Sequence, residues 1–317
     1  MFTQIFLFIA GFWLLLKGAD ILTDRAAEIA KRLQISSFLI GILIVGIGTS
    51  IPELIVMVFS NLQGTSAIGV GTIIGSNTFN ILFILGVSAM ISPLILTKNQ
   101  VWRHLVFNIS AVAIVALLIW FRITELQGLS RPDGFLLLML FFFWMYYLYV
   151  FRKDATMEGY ADARSHSHFS NLLFIVGGLI GIIIGGDWVT QSSVAIAKFL
   201  GMKESVIGLT IVGLGTSLPE LSASAVAAYK KNYGIAVGNI IGSNIFDFLM
   251  ILGLASAMKP IPITDPLFFD LIVTILSATL LFAAMFIGQK YVLKRWQGFV
   301  LVFLYIAYLI YLFFLRP

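Results

Sequence analysis

The chain has no cysteine, only three histidines and just 11% charged residues among 317. The missing cysteines exclude a disulfide framework, a thiolate metal centre and a thiol nucleophile, although they do not fix a compartment. The shortage of charge, set against 60% hydrophobic residues and a mean hydropathy of +1.01, excludes an ordinary soluble domain and indicates a membrane chain. The first apolar run has neither a cationic segment ahead of it nor a small-residue cleavage site after it. It therefore reads as a retained helix and not a removable leader.

A bilayer-spanning helix needs about 20 apolar residues. Apolar runs separated by charged or Pro/Gly breaks predict ten such spans, near 3–23, 36–60, 66–91, 104–121, 134–151, 170–199, 205–228, 235–257, 267–287 and 297–315. The expected fold class is an all-α integral membrane protein. The net charge of +5 could suggest a nucleic-acid partner, but topology explains it better. With both termini outside, the inner connections hold 13 of the 20 Lys and Arg residues, the outer ones hold 6, and Lys17 falls within the first span. Positive charge gathers inside, so both termini are expected outside, with no nucleic-acid partner.

Two stretches repeat at an offset of 167 residues. Gly46-Ile47-Gly48-Thr49-Ser50-Ile51-Pro52-Glu53-Leu54 is answered by Gly213-Leu214-Gly215-Thr216-Ser217-Leu218-Pro219-Glu220-Leu221, and Gly75-Ser76-Asn77-Thr78-Phe79-Asn80 by Gly242-Ser243-Asn244-Ile245-Phe246-Asp247. Identities at this offset number 10 of 14 positions over 41–54 and 12 of 17 over 70–86. Asp20 with Asp187 and Pro93 with Pro260 extend the match. Five spans separate corresponding points, so the copies run in opposite directions, an inverted-topology repeat. The expected organisation is two five-helix repeats, 1–151 and 170–317, joined by a cytoplasmic linker at 152–169. That linker is too short for a folded regulatory domain.

Small residues alone could mark a helix-packing unit. The acids argue for more. Glu53, Glu220 and Asp247 all fall inside expected spans, where an acidic side chain costs about 2.5 to 3.5 kcal/mol on insertion scales. No Lys or Arg lies at comparable depth in these four helices, so compensation falls to protonation, water or a bound cation. The spacing favours a cation site of oxygen ligands. Thr49 and Ser50 lie four and three residues before Glu53, while Ser76 with Asn80 and Ser243 with Asp247 are four apart, so each set shares a helix face. Pro52 and Pro219 lack an N–H, and with the nearby glycines they favour a helix break whose freed carbonyls could ligate a cation. Carboxylate, hydroxyl, amide and carbonyl oxygens suit Ca2+, Na+ or Mg2+ and disfavour zinc or copper; Mg2+ prefers to retain its waters.

At these residues the chain resembles the cation/calcium exchanger superfamily, in particular its prokaryotic sodium/calcium exchanger branch. The resemblance covers both signature repeats and a ten-helix layout over nearly the whole chain. It implies a non-enzymatic antiporter that carries Ca2+ one way and Na+ the other by alternating access, with no cofactor and no obligatory protein partner beyond the bilayer and the ions. By motif position it places Glu53 and Glu220 at the centre, ligating both ions, with the carbonyls of Thr49 and Thr216 joining the Ca2+ shell. Ser50, Ser76 and the Gly46 carbonyl would line one flanking Na+ site, and Ser217, Ser243 and the Gly213 carbonyl its mate, with Asn80 and Asp247 in the middle. The family often has Ala where this chain has Gly46 and Gly213. It also implies that the first and sixth spans move across a four-helix core.

Proton-coupled relatives typically carry Gly-Asn-x-x-Glu where this chain has Thr-Ser hydroxyls, which favours Na+ and leaves proton-coupled divalent exchange as the alternative. A passive cation channel remains open from another class. An intramembrane acid protease is disfavoured because the Tyr-Asp and Gly-x-Gly-Asp contexts are missing. Among other residues, Asp20 and Asp187 suit capping, interhelical hydrogen bonding or ion access. His166 and His168 read as solvated in preference to metal-binding, Phe141-Phe142-Phe143-Trp144 as lipid-facing or packed within the bundle, and Trp102 and Trp296 as interfacial anchors.

Overall fold

In hydrocarbon a backbone segment must satisfy its own N–H and C=O groups, which drives long apolar runs into helices. The computed structural model describes residues 2–121, 128–152, 168–200, 213–263 and 265–312. Helix α1 (Phe2–Leu33) is followed by α2 (Ser37–Thr49), α3 (Ile51–Gln63), α4 (Ser66–Ile91), α5 (Gln100–Trp120) and α6 (Arg131–Val150). Then come α7 (His168–Phe199), the short α8 (Gly213–Gly215), α9 (Leu218–Tyr229), α10 (Tyr233–Met258), α11 (Asp265–Ala284) and α12 (Arg295–Ile310). Among the described residues seven helices are long and apolar enough to cross a membrane, or eight if α2 and α3 form one bent span; α12 is apolar but shorter. The expected span near 205–228 corresponds to α8 and α9, and its first part lies outside the described residues.

Two boundaries differ from expectation for physical reasons. Helix α1 continues well past residue 23 because Glu28 pairs with Arg25 and Arg32, at i,i+3 and i,i+4, which stabilises the charged last turns as helix. The expected span 36–60 is bent by 44° between α2 and α3. Pro52, at the start of α3, has no N–H with which to continue the helical ladder. Elsewhere, Ser130 caps α6: its hydroxyl accepts from the Asp133 N–H while its own N–H donates to Asp133 Oδ2 at 2.8 Å.

Glycines set how closely the helices approach. Helices α1 and α7 run antiparallel, with Gly11 against Gly185 and Gly18 against Gly178. Nearly all of α10 and most of α4 are buried at the centre of the bundle. Two short ladders tie the chain's halves together. Strand β1 (Leu94–Ile95) pairs antiparallel with β4 (Val292–Leu293), and β2 (Gly128–Leu129) with β3 (Ile261–Pro262). Positions 94–95 and 261–262 are again 167 apart, so the strand leaving α4 and the strand leaving α10 each pair with the strand that precedes the other half's last helix.

The Phe-rich run divides by helical phase. Phe141 and Trp144 are buried, with Phe141 against Phe246, whereas Phe142 and Phe143 are exposed. Trp102 and Trp296 are about half exposed. His166 and most of the linker lie outside the described residues.

Candidate ion-binding site

Each acid at the centre sits where the helix is irregular. Glu53 and Glu220 occupy the first turns of α3 and α9, just after Ser50 and Ser217, whose backbones (φ −81°, ψ 6° and φ −91°, ψ 4°) depart from helix. Proline lies one residue ahead of each acid. Asn80 begins a π-helical turn over Asn80–Ile84 in α4, and Asp247 lies in another over Phe246–Ile251 in α10. Such wide turns recur at functional sites, and the local motif gave no sign of them.

Thr49, Ser50, Glu53, Ser76, Asn80, Ser217, Glu220, Ser243 and Asp247 are all buried, as is Gly46, while Thr216 is partly exposed and Gly213 opens α8. The Thr216 side chain lies beside Glu53, Thr49 beside Glu220 and Ser50 beside Asp247; Glu53 is also close enough to Glu220 and Asp247 to feel their charge. The twelve residues expected at the site therefore fall on α2, α3, α4, α8, α9, α10 and the two breaks between helices.

The pairing across the halves differs from the one implied by resemblance. Ser243, not Ser76, meets the Gly46 carbonyl, donating to it at 3.0 Å; Ser76 turns to the Ile73 carbonyl of its own helix at 3.1 Å. Close packing of α2 on α10 causes this. A Cβ at Gly46 would stand 2.7 Å from the Asn239 carbonyl oxygen and 2.9 Å from the Ser243 nitrogen, so at this position only glycine fits the observed approach.

Three asparagines join the site without having been singled out in the sequence. Asn77 donates to Asp247 Oδ2 at 2.7 Å, and Asn80 donates to Asn244 Oδ1 at 3.0 Å. Asn77 and Asn244 are repeat mates inside the motif, a signal that could have found them. Asn239 gave no such signal, because its mate is Thr72. It accepts from Thr49 Oγ1 at 3.2 Å and donates to the Glu220 carbonyl at 3.2 Å and to Ser224 Oγ at 2.8 Å, joining α2, α9 and α10.

Many oxygens nevertheless have no hydrogen-bond partner: Ser50 Oγ, both carboxylate oxygens of Glu53 and of Glu220, Asn77 Oδ1, Asn80 Oδ1, Thr216 Oγ1, Ser217 Oγ and Asp247 Oδ1. Buried polar atoms are normally paired, and each unpaired one costs about 1 to 3 kcal/mol. Among the described residues no Lys or Arg pairs with the three acids. Nor do three His, Cys, Asp or Glu side chains converge as a conventional metal centre. A cation held here must draw on hydroxyl, amide and backbone oxygens besides carboxylates, a donor set suited to hard ions.

Beside the acids, a cavity of about 390 Å³ is lined by Pro52, Ile55, Asp187, Thr190, Thr216 and Pro219 among others. It reaches Thr216 from the side where α7 approaches α3 and α9. The chain thus has the parts of an intramembrane cation carrier: buried acids, broken helices around them and a cavity leading to one of their hydroxyls.

The sodium/calcium exchanger protein family matches residues 3–150 and 170–314, and the chain belongs to that family of membrane transporters. Among its relatives, the sodium/calcium exchanger MaX1 of Methanosarcina acetivorans is 31% identical, with 96% of this chain and 97% of the relative covered. An uncharacterized membrane protein of Methanocaldococcus jannaschii is 33% identical, with 94% of each covered. The solved structure of the sodium-calcium exchanger NCX_Mj, soaked with zero Na+ and Ca2+, superposes with a TM-score of 0.83 at 31% identity, covering 96% of this chain and 97% of that one.

Proposed function

We propose that the protein exchanges Na+ for Ca2+ across a cell membrane by exposing one shared site alternately to each side. The observation that carries this reading is the set of partnerless oxygens on Glu53, Glu220, Asp247, Ser50, Ser217, Asn77, Asn80 and Thr216, buried in a chain whose family is one of exchangers. Glu53 and Glu220 would ligate both ions, so Ca2+ and a full Na+ complement exclude each other. The Thr49 and Thr216 carbonyls would complete the Ca2+ shell. Bonding between Ser243 and Gly46 favours regrouping the flanks: Ser50 with Ser243 and the Gly46 carbonyl on one, Ser217 with Ser76 and the Gly213 carbonyl on the other. Asn80 and Asp247 would stand between them.

The architecture proposed with this is ten spans in two inverted repeats, 1–151 and 170–317, joined by a cytoplasmic linker at 152–169, with both termini outside. The antiparallel α1 and α7 and the repeat-related strand pairs support it. In that topology the cavity at Thr216 faces outward. Neither a cofactor nor an obligatory protein partner enters the mechanism.

The test uses Na+-loaded liposomes diluted into Na+-free buffer with radioactive Ca2+, beside an arm driven only by a pH gradient. Uptake that needs internal Na+ and vanishes in Glu220→Gln supports the proposal. Uptake driven by protons alone would move the protein to the proton-coupled branch, and Ca2+ entry without any counter-ion would make it a channel.

A further inference from the structure

The repeat-related helices α1 and α7 are fastened differently at corresponding points. Lys230, in the turn after α9, reaches across to α1. Its Nζ lies 2.7 Å from Asp24 Oδ1 and 3.1 Å from the Asp20 carbonyl oxygen, and it pairs with the Asp20 carboxylate, which Lys17 also faces at 3.4 Å. The turn that carries Lys230 is well held: the Lys230 N–H donates to the Val226 carbonyl at 2.9 Å and the Asn232 N–H to the Ala227 carbonyl at 2.8 Å, over buried Ala227 and Ala228.

At the offset of 167, Asp20, Asp24 and Lys230 correspond to Asp187, Gln191 and Gln63. That set holds one acid and no cation. Gln191 Nε2 donates to both Asp187 oxygens at 2.8 Å within α7, so among the described residues no ion pair bridges α7 to the end of α3, and the 390 Å³ cavity lies beside Asp187. Exposure follows the same asymmetry. Ile55, which lines the cavity, is 51% exposed, whereas its repeat mate Ser222 is 8% exposed and donates to the Pro219 carbonyl at 2.9 Å.

We propose that Lys230, with Asp20 and Asp24, is a one-sided ionic latch that holds the ion path shut between α1 and α9 and biases the protein toward the state open beside Asp187. The inference rests on the alternating-access reading above. It adds that the two access states are unequal because the repeats differ at two charged positions outside the set of ion ligands, Asp24 against Gln191 and Lys230 against Gln63. The pairs are partly solvent-exposed, so the bias they impose is modest, about two- to fivefold in the population of the opposite state.

Because the chain has no cysteine, single cysteines at repeat-related positions report each side cleanly. Ser222→Cys and Ile55→Cys, in proteoliposomes, are modified with a thiol reagent with Na+ or Ca2+ present. Lys230→Gln should raise modification of Ser222→Cys about two- to fivefold and lower that of Ile55→Cys. The pair Asp20→Asn with Asp24→Asn should do the same, and Lys230→Arg should retain the parent rates. If Ser222→Cys responds to the ions in the parent but keeps its rate in both neutralised variants, the latch is refuted while alternating access stands. If Ser222→Cys is insensitive to either ion in the parent, alternating access fails and the latch with it.

Discussion

Replacing Asn239 with leucine, a side chain of similar size, removes hydrogen bonds without opening a large cavity, and the structure sets the expected loss. Thr49 Oγ1 keeps an acceptor in the Val45 carbonyl at 3.0 Å, and Ser224 Oγ keeps the Ala236 carbonyl at 3.1 Å. The Glu220 carbonyl loses the Asn239 donor, and Ser224 Oγ loses a donor to its lone pair. The Glu220 carbonyl keeps its place in the α9 ladder, so the loss is two hydrogen bonds at about 0.5 to 1.5 kcal/mol each, about 1 to 3 kcal/mol in all. Part of that loss falls on the ion site, because the released peptide belongs to Glu220. A tenfold weaker Ca2+ affinity corresponds to about 1.4 kcal/mol, so Asn239→Leu should weaken Ca2+ binding about three- to tenfold. The assay is equilibrium binding of radioactive Ca2+ to purified protein, with thermal unfolding measured in parallel. Ca2+ affinity within twofold of the parent would refute the reasoning, since Asn239 would then not position the Glu220 turn.

Other substitutions test separate links. Gly46→Ala places a Cβ against backbone atoms of Asn239 and Ser243 and should cost about 1 to 3 kcal/mol by forcing α2 from α10, read as a lower unfolding temperature together with weaker Na+ binding. A variant with parent stability and Na+ affinity would show that this approach is not needed. Ser130→Ala removes the cap of α6 far from the ion site and should cost about 1 kcal/mol of stability while leaving Ca2+ affinity unchanged, which the same two assays distinguish.

Much of the fold was legible because the hydrocarbon setting makes hydropathy a direct readout of helix position. The expected span at 66–91 coincides with α4, and the one at 134–151 closely matches α6. The end of α1 was not legible, because hydropathy weighs Arg25, Glu28 and Arg32 as breaks whereas their mutual pairing sustains helix. At the site, the Gly-Thr-Ser-x-Pro-Glu copies identified the acids and the helix breaks from chemistry local to each motif. Which serine faces which glycine carbonyl depends on contact between α2 and α10, and motif spacing carries no information about that. Asn239 escaped notice for a related reason. The repeat draws attention to what is shared, and this residue matters through a difference from Thr72, whose hydroxyl donates within its own helix to the Ile68 carbonyl.

In the proposed mechanism one set of oxygens, centred on Glu53 and Glu220, serves both ions. Its most direct test is Ca2+ binding to purified protein as Na+ is raised, in the parent and in Glu53→Gln. With a shared site, Na+ displaces Ca2+ completely in the parent, and Glu53→Gln binds Ca2+ at least about tenfold more weakly, the loss of one charge-assisted ligand. Ca2+ that stays bound at undiminished stoichiometry under saturating Na+, or parent-like affinity in Glu53→Gln, would contradict it.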